Sequence, residues 1–258
     1  ARPCAARGEE EAGVTNALAV LRESERRFVL PSARYIPHKP HPKQAEFRAL
    51  RGVFEALYGG AAGGGKSDEL LAEALEYCHV PGYSAILLRR TFPMLKQAEG
   101  LIPRSYAWLA DKGCRYNATE HVWTFPTGGA PARLAFGHLQ HEQTKYLYQG
   151  GAYHFLGFDE LTHFTESQYL YLHSRVRQPS DASDALSRVP LRIRSGSNPG
   201  GIGHRWVKKR FVDEKTRAAG AVYFPAKLDD NPSLNAEQYK HALANLSETE
   251  RRQLLDGD

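Results

Sequence analysis

Residues 60–67 read GAAGGGKS and match the phosphate-loop pattern G-x-x-x-x-G-K-[ST] in full. Glycines let such a loop curl until its N–H groups point at phosphate oxygens, and the helix that follows presents its positive end to the same anion. Lys66 can reach the β- and γ-phosphates, and the Ser67 hydroxyl is a suitable Mg²⁺ ligand. The pattern predicts ATP and Mg²⁺ as cofactors, bound by Gly60, Ala61, Ala62, Gly63, Gly64, Gly65, Lys66 and Ser67.

Two adjacent carboxylates supply the second chemical signal. Asp159 and Glu160 follow the apolar segment FLGF, which reads as a buried strand. At the carboxyl end of a parallel strand Asp159 would hold Mg²⁺, and Glu160 would activate water as a general base. The glutamate favours water as the phosphoryl acceptor and therefore hydrolysis. Together with the loop, it indicates a P-loop NTPase of the RecA-like, additional-strand type.

The elements that must position these residues alternate between helix and strand, which predicts an α/β fold of three αβα layers around a mostly parallel sheet. Strands are expected at 54–58, 84–88, 122–125, 133–136, 153–158, 191–195 and 222–224, the third and fourth as a hairpin. Helices are expected at 15–28, 44–56, 165–176, 204–217 and 236–255. A further helix is expected directly after the loop, with one apolar face made of Leu70, Leu71, Ala74, Leu75 and Cys78. A capping box at Ser247 and Glu250 supports the last helix.

The composition of the 258 residues excludes several other classes of protein. Hydrophobic residues make up 41% of the chain, enough for a core, and no apolar run is long enough to cross a membrane. Three scattered cysteines argue against a disulfide framework. The positive charge behind the net +5 is concentrated in residues 188–217, which contain nine Lys and Arg residues and two acidic residues. This segment is either a solvated helix face or a phosphate-contacting surface, with Arg205, Lys208, Lys209 and Arg210 as DNA-binding candidates.

These motifs and their neighbours resemble the ATPase domain of the large terminase subunit of tailed bacteriophages, over about residues 40–258. The resembling segments are LYGGAAGGGKS (57–67), LLRRTFP (87–93), YQGGAYHFLGFDELTHFTE (148–166), SNPGG (197–201) and LDDNP (228–232). The resemblance implies an ATP-driven motor that moves double-stranded DNA into a procapsid. It also implies work in the host cytoplasm with a portal protein and a small terminase subunit. The motor would be a homo-oligomeric ring, expected as a pentamer, although the isolated domain can be monomeric.

Further residue roles follow from the resemblance. Gln44 is expected to read adenine, or else to be a polar residue on a surface helix. Ser197 and Asn198 resemble the coupling motif that senses the γ-phosphate, or else form a simple turn. Arg89 and Arg90 could approach phosphate or DNA, or form salt bridges. An arginine finger is expected in a ring ATPase. The stretch immediately before the acidic strand, KYLYQGGAY (145–153), contains Lys145 but no arginine. Arg133, Arg175 and Arg177 are the remaining candidates, acting in the same subunit or from a neighbour.

The resemblance also suggests how the chain is divided. Residues 1–43 are expected to form an N-terminal helix and arm, 44–226 the ATPase core, and 227–258 a helical linker or lid. Large terminases of this kind carry a nuclease domain after the ATPase, and no nuclease activity is expected from the residues present here. Three alternatives stay open at this point: a fragment of a superfamily-2 helicase, a nucleotide-gated ring scaffold that does not hydrolyse ATP, and a small-molecule kinase.

Overall fold

Eight strands form one central sheet in the computed structural model, which describes residues 34–61, 63, 65–232, 236–248, 251 and 254. The order across the sheet is β3-β4-β5-β2-β6-β7-β1-β8. The six strands from β5 to β8 run parallel, and β3 and β4 add an antiparallel edge. The strands are β1 Glu55–Gly60, β2 Ser84–Arg89, β3 Arg115–Asn117, β4 Val122–Phe125, β5 Ala132–His138, β6 Phe155–Asp159, β7 Arg192–Ser197 and β8 Ala221–Ala226. The predicted α/β class and the predicted hairpin are confirmed.

Helices cover both faces of this sheet. They are α1 Pro42–Arg48, α2 Lys66–Leu75, α3 Phe92–Lys96, α4 Leu101–Leu109, α5 Glu166–His173, α6 Asp184–Ser187, α7 His204–Val207 and α8 Ala236–Leu243. Side chains of β2 alternate between the two faces: Leu87 packs in the cluster formed with α2 and α4, and Leu88 in the one formed with α5 and α7. No helix within the described residues is long and apolar enough to cross a bilayer.

The sequence placed most central strands correctly but misjudged several ends. β7 continues to Ser197, two residues past the predicted strand, and β6 begins at Phe155 instead of residue 153. The helix predicted for 44–56 is wrong beyond Arg48, because the residues from Glu55 onward pair with β7 and β8. Arg194 stabilises the connection before β1 by donating to the Leu50 and Val53 carbonyl oxygens at 2.7 and 3.0 Å.

The basic helix predicted for 204–217 is also wrong. Helix α7 has four residues and passes into a single π-helical segment, Lys208–Val212, closed by a 2.9 Å hydrogen bond from the Asp213 amide to the Lys208 carbonyl. Within this wider segment Phe211 is buried. The helix predicted for 236–255 is continuous only over α8. The helix predicted for 15–28 and the Glu250 half of the capping box lie outside the described residues.

A buried ion cluster fixes helix α2 to the sheet. Arg192 and Arg194 of β7 are fully buried, and Glu73 and Glu76 face them from α2 and the residue after it. Arg192 lies 3.1 Å from Glu73 and 2.7 Å from Glu76, and Arg194 lies 3.1 Å from Glu73. Burial works to raise the pKa of Glu76, but the guanidinium groups of Arg192 and Arg51 outweigh it and lower that pKa. The cluster therefore holds the far end of the helix that begins at the phosphate loop.

Replacing Arg192 with methionine should lower the free energy of unfolding by about 3–5 kcal/mol, because Glu73 and Glu76 lose their shared buried partner. Arg188→Met is the matched control, since Arg188 pairs with Asp184 at the surface and its side chain is 76% exposed; it should cost less than about 1 kcal/mol. Urea unfolding of both variants measures the difference. Equal midpoints would contradict the structural role given to the cluster.

Candidate nucleotide-binding and catalytic site

The carboxyl ends of β1, β2, β6 and β7 meet at one edge of the sheet. Gly60, Arg89, Asp159 and Ser197 are the last residues of these strands. Parallel strands present their carboxyl ends on the same side, where α/β proteins bind their ligands. This edge brings together the residues predicted for phosphate binding, catalysis and coupling, apart from Ala62 and Gly64, which lie outside the described residues.

The phosphate loop is shaped by positions that only glycine suits. Gly60 has a φ of 121°, and a Cβ there would lie 2.2 Å from the Ala226 carbonyl oxygen of β8. Gly65 has a φ of 70° at the start of α2, and a Cβ there would lie 2.8 Å from the Gln44 amide nitrogen. At both positions φ is positive and a neighbouring atom lies too close for a Cβ, so glycine is the residue that fits. The loop is therefore pressed between β8 and α1 before it enters α2.

Lys66 is the first residue of α2 and points back into the loop. Its ammonium donates a hydrogen bond to the Ala61 carbonyl oxygen, and the residue is buried. Burial lowers the pKa of Lys66 to about 8, although Glu160 and Asp159 nearby favour the charged form. The positive charge is thus enclosed beside both carboxylates, where a phosphate group would offset the cost of its burial.

Asp159 joins three elements through its two carboxylate oxygens. Oδ1 accepts a 2.8 Å hydrogen bond from the Ser67 hydroxyl, and Oδ2 forms an ion pair with Arg89. Asp159 is only 1% exposed, so these partners compensate a buried charge. A hydroxyl and a carboxylate are the hard oxygen donors that Mg²⁺ prefers. The donor set of Ser67 and Asp159 therefore fits the predicted metal.

Glu160 has an unusual backbone conformation. Its φ of 59° and ψ of 63° place it in the left-handed region, which is strained for a residue with a Cβ. The carboxylate oxygen Oε2 accepts a hydrogen bond of 3.4 Å from the Asn198 amide. Burial, with a further contribution from Asp159, raises the pKa of Glu160, while Arg89 and Lys66 oppose the shift. A glutamate with a raised pKa is better suited to accept a proton near neutral pH.

Ser197 and Asn198, the residues predicted to couple hydrolysis to movement, are hydrogen-bonded directly to the turn that follows Glu160. The Ser197 hydroxyl accepts a 3.1 Å hydrogen bond from the Thr162 amide and lies 2.9 Å from the Thr162 hydroxyl. Thr162 also donates from its hydroxyl to the Asn198 carbonyl oxygen at 3.1 Å. Sequence reasoning missed Thr162; the only available signal was its place two residues after the acidic pair.

Gln44 lies against the phosphate loop and is 2% exposed. Its amide nitrogen donates to the Gly65 carbonyl oxygen at 3.1 Å, and its amide oxygen accepts from the His41 amide at 2.8 Å. Both ends of the side chain are therefore engaged with backbone groups, which excludes the surface-helix alternative. Adenine recognition by Gln44 stays a prediction.

The three candidate arginine fingers lie near the amino ends of the strands, on the side of the sheet opposite to the phosphate loop. Arg133 is near the amino end of β5, with Glu120 as its partner 3.4 Å away. Arg175 and Arg177 bond through their backbones to Tyr153, just before β6. At about 3.3 Å per residue, these positions are roughly 16–20 Å from the carboxyl ends of their strands. None of the three is positioned to reach the nucleotide edge of its own subunit.

The basic segment 188–217 does not form one cationic surface. Arg192 and Arg194 belong to the buried ion cluster, and Arg210 forms a two-bond ion pair with Glu55, at 3.1 and 2.9 Å, over the Tyr169 ring. This ion pair holds Arg210 against the protein, with its side chain 17% exposed; a DNA contact of Arg210 stays a prediction. The predicted DNA contacts that are exposed are Arg205, Lys208 and Lys209.

Solved structures of phage large terminases share this fold. The large terminase of a thermophilic bacteriophage matches with a TM-score of 0.63 at 16% identity, over 85% of this chain and 54% of that one. The same enzyme in complex with ADP matches with a TM-score of 0.61 at 13% identity, over 84% and 52%. The ATPase domain of the Thermus phage P74-26 large terminase matches with a TM-score of 0.59 at 15% identity, over 87% and 95%. The fold is therefore the P-loop fold of terminase ATPase domains.

The family assignment rests on the sequence as well. The family model described as "Terminase large subunit, T4likevirus-type, N-terminal" matches residues 57–258. The chain belongs to this family of terminase large subunits. It spans about half the length of the thermophilic bacteriophage terminase that it matches. Comparison with curated proteins gives no significant match.

Proposed function

We propose that this chain hydrolyses ATP and uses the energy to move double-stranded viral DNA into a procapsid. The observation that carries the proposal is the meeting of Lys66, Ser67, Asp159 and Glu160 at one sheet edge in a terminase large subunit. The thermophilic bacteriophage terminase was solved in complexes with ADP and with ATP-γ-S, which supports nucleotide as the ligand of this edge. The glutamate after Asp159 supports water as the acceptor and weighs against a kinase.

Hydrolysis requires a water molecule to attack the γ-phosphorus of ATP. Glu160 takes one proton from that water as its oxygen bonds to phosphorus, and the bond between phosphorus and the β–γ bridging oxygen breaks. The electron pair of that bond stays on the ADP oxygen, and the products are ADP and inorganic phosphate. Lys66 binds the phosphate oxygens and offsets their charge. Ser67 and Asp159 would hold Mg²⁺, which supplies further positive charge to those oxygens when bound.

A continuous set of hydrogen bonds connects the catalytic turn to the basic segment. Glu160 is bonded to Asn198, and Thr162 is bonded to Ser197. The Thr162 carbonyl oxygen accepts a 2.7 Å hydrogen bond from the Gly203 amide, immediately before α7. Loss of the γ-phosphate would disturb Glu160 first and reach α7 through these bonds. We infer that this is how hydrolysis is coupled to movement of the DNA-contacting residues.

Arg205, Lys208 and Lys209 are the proposed contacts to the DNA backbone. They are exposed on α7 and the segment that follows it, beyond the coupling residues. Cationic side chains that neutralise phosphates bind duplex DNA without reading its sequence, which a packaging motor requires. The proposal includes a homo-oligomeric ring at the portal of a procapsid in the host cytoplasm, supplied with DNA by a small subunit.

Glu160→Gln should lower ATP turnover by about 10²–10⁴-fold while nucleotide binding is retained, because the amide cannot accept the proton from water. Lys66→Ala should lose both turnover and tight binding. Glu166→Gln is the matched control, since Glu166 is exposed at the start of α5 and should keep wild-type turnover. Phosphate release with and without double-stranded DNA measures all four proteins.

An outcome in which Glu160→Gln keeps wild-type turnover would contradict the general-base role. Wild-type protein that binds ATP tightly but releases no phosphate, even at concentrations that assemble rings, would instead favour the nucleotide-gated scaffold. Stimulation of turnover by DNA would support a translocating motor.

Replacing Lys208 and Lys209 together with alanine should weaken DNA binding and reduce the slope of log affinity against log salt by about two, since two phosphate contacts are lost. The control removes the same charge from Lys112 and Arg115, exposed residues near the antiparallel edge of the sheet. Binding to a duplex of random sequence, titrated with salt, measures both variants. An unchanged slope for Lys208→Ala/Lys209→Ala would reject this surface as the DNA contact.

A further inference from the structure

Arg89 lies at the carboxyl end of β2, and the sequence left its role open between phosphate, DNA and a salt bridge. It ends β2, next to β6, and its Nη1 forms an ion pair with Oδ2 of Asp159. Its side chain is 20% exposed, so it is largely enclosed but still accessible to solvent. The Nε–H group of Arg89 is buried and has no hydrogen-bond partner among the described residues. Part of the guanidinium fork is therefore unused.

The surroundings of Arg89 place it where phosphate charge would arrive. Its partner Asp159 is also bonded to Ser67, the hydroxyl residue of the phosphate loop. Its positive charge also acts on Glu160: burial raises the pKa of Glu160, and Arg89 opposes that rise. A planar guanidinium with a free donor matches the oxygens of a phosphate group better than a lysine does. The guanidinium therefore has an unsatisfied donor and a partial exposure of 20%, and it would need to turn from Asp159 to meet an anion at this edge.

The neighbouring arginines are less suited to this task. Arg90 donates to the Leu139 carbonyl oxygen at 2.9 Å and to the Gln168 side chain at 3.1 Å, away from both carboxylates. Arg133, Arg175 and Arg177 lie near the amino ends of the strands, far from Asp159 and Glu160. Among the described residues, Arg89 is the arginine that forms an ion pair with Asp159.

We propose that Arg89 is a catalytic residue that binds the γ-phosphate of ATP in its own subunit, exchanging its ion pair with Asp159 for phosphate oxygens. This inference rests on the proposed ATPase function. Arg89 forms and breaks no covalent bond during hydrolysis. Its guanidinium neutralises charge on the γ-phosphate oxygens while Glu160 takes the proton from water. In the nucleotide-free protein the same side chain keeps the buried Asp159 paired.

The test compares binding of ATP-γ-S and ADP, each with Mg²⁺, by calorimetry. Arg89→Gln should weaken ATP-γ-S binding by about 10–100-fold, the range expected for a lost charge-assisted hydrogen bond, and leave ADP binding within about twofold. Arg89→Lys keeps a positive charge near Asp159 but lacks the planar fork, so it should show a smaller loss that is again confined to ATP-γ-S. Arg188→Gln, a surface arginine, should change neither affinity.

Equal weakening of both nucleotides by Arg89→Gln and Arg89→Lys would overturn the proposal, because a residue that only positions Asp159 does not distinguish the γ-phosphate. Unchanged ATP-γ-S binding in either variant would also overturn it. Wild-type protein that binds neither nucleotide would instead remove the proposed function, so the two failures are distinguishable.

A mixing experiment tests whether Arg89 acts within its own subunit. Arg89→Gln retains Lys66, and Lys66→Ala retains Arg89, so a finger acting between subunits would restore turnover when the two variants are combined. Action within one subunit predicts that the mixture turns over no faster than the sum of its parts. Recovery of turnover well above that sum would contradict the assignment in the same subunit.

Discussion

The buried carboxylate of Asp159 is the constraint on which the site depends. A charge that is 1% exposed requires partners, and it has Ser67 on one oxygen and Arg89 on the other. These three residues come from α2, β6 and β2, so satisfying one charge fixes the loop helix against two strands. Glu160, the proposed general base, and Ser197, the proposed coupling residue, are then positioned by their places beside this group.

The strand order explains why these groups meet. β6 lies between β2 and β7, and β7 pairs with β1, so the ends that carry Arg89, Asp159, Ser197 and the phosphate loop are consecutive across the sheet. The buried cluster of Arg192 and Arg194 with Glu73 and Glu76 anchors the other end of α2 to β7. Helix α2 is therefore held at both ends, and the site at its start does not depend on loop conformation alone.

Local sequence patterns predicted the parts of this arrangement that local residues determine. The phosphate loop and the acidic pair are contiguous, and their chemistry requires specific residue types at fixed spacing. The core strands β2 and β6 are apolar on both faces over most of their length, which is the pattern of a buried parallel strand. Local pattern leaves Glu55 in both a predicted helix (44–56) and a predicted strand (54–58), because its pairing with β7 and β8 depends on residues more than 130 positions away.

The basic segment shows the same limit. Arg192, Arg194 and Arg210 look like surface cations until Glu73, Glu76 and Glu55 are brought against them by the fold. Thr162 had no predicted role and Arg89 had several open ones; the three-dimensional arrangement places Arg89 against Asp159 and Thr162 against Ser197. Charge counts along a sequence therefore overstate a binding surface when buried acids lie elsewhere in the chain.

Hydrolysis in ¹⁸O-labelled water tests the central claim most directly, because it follows the water that Glu160 is proposed to activate. Attack at the γ-phosphorus places one ¹⁸O atom in the inorganic phosphate of each turnover and leaves ADP unlabelled. Mass spectrometry of both products distinguishes the possibilities. Label in ADP, or ATP consumption that yields no labelled phosphate, would contradict the account.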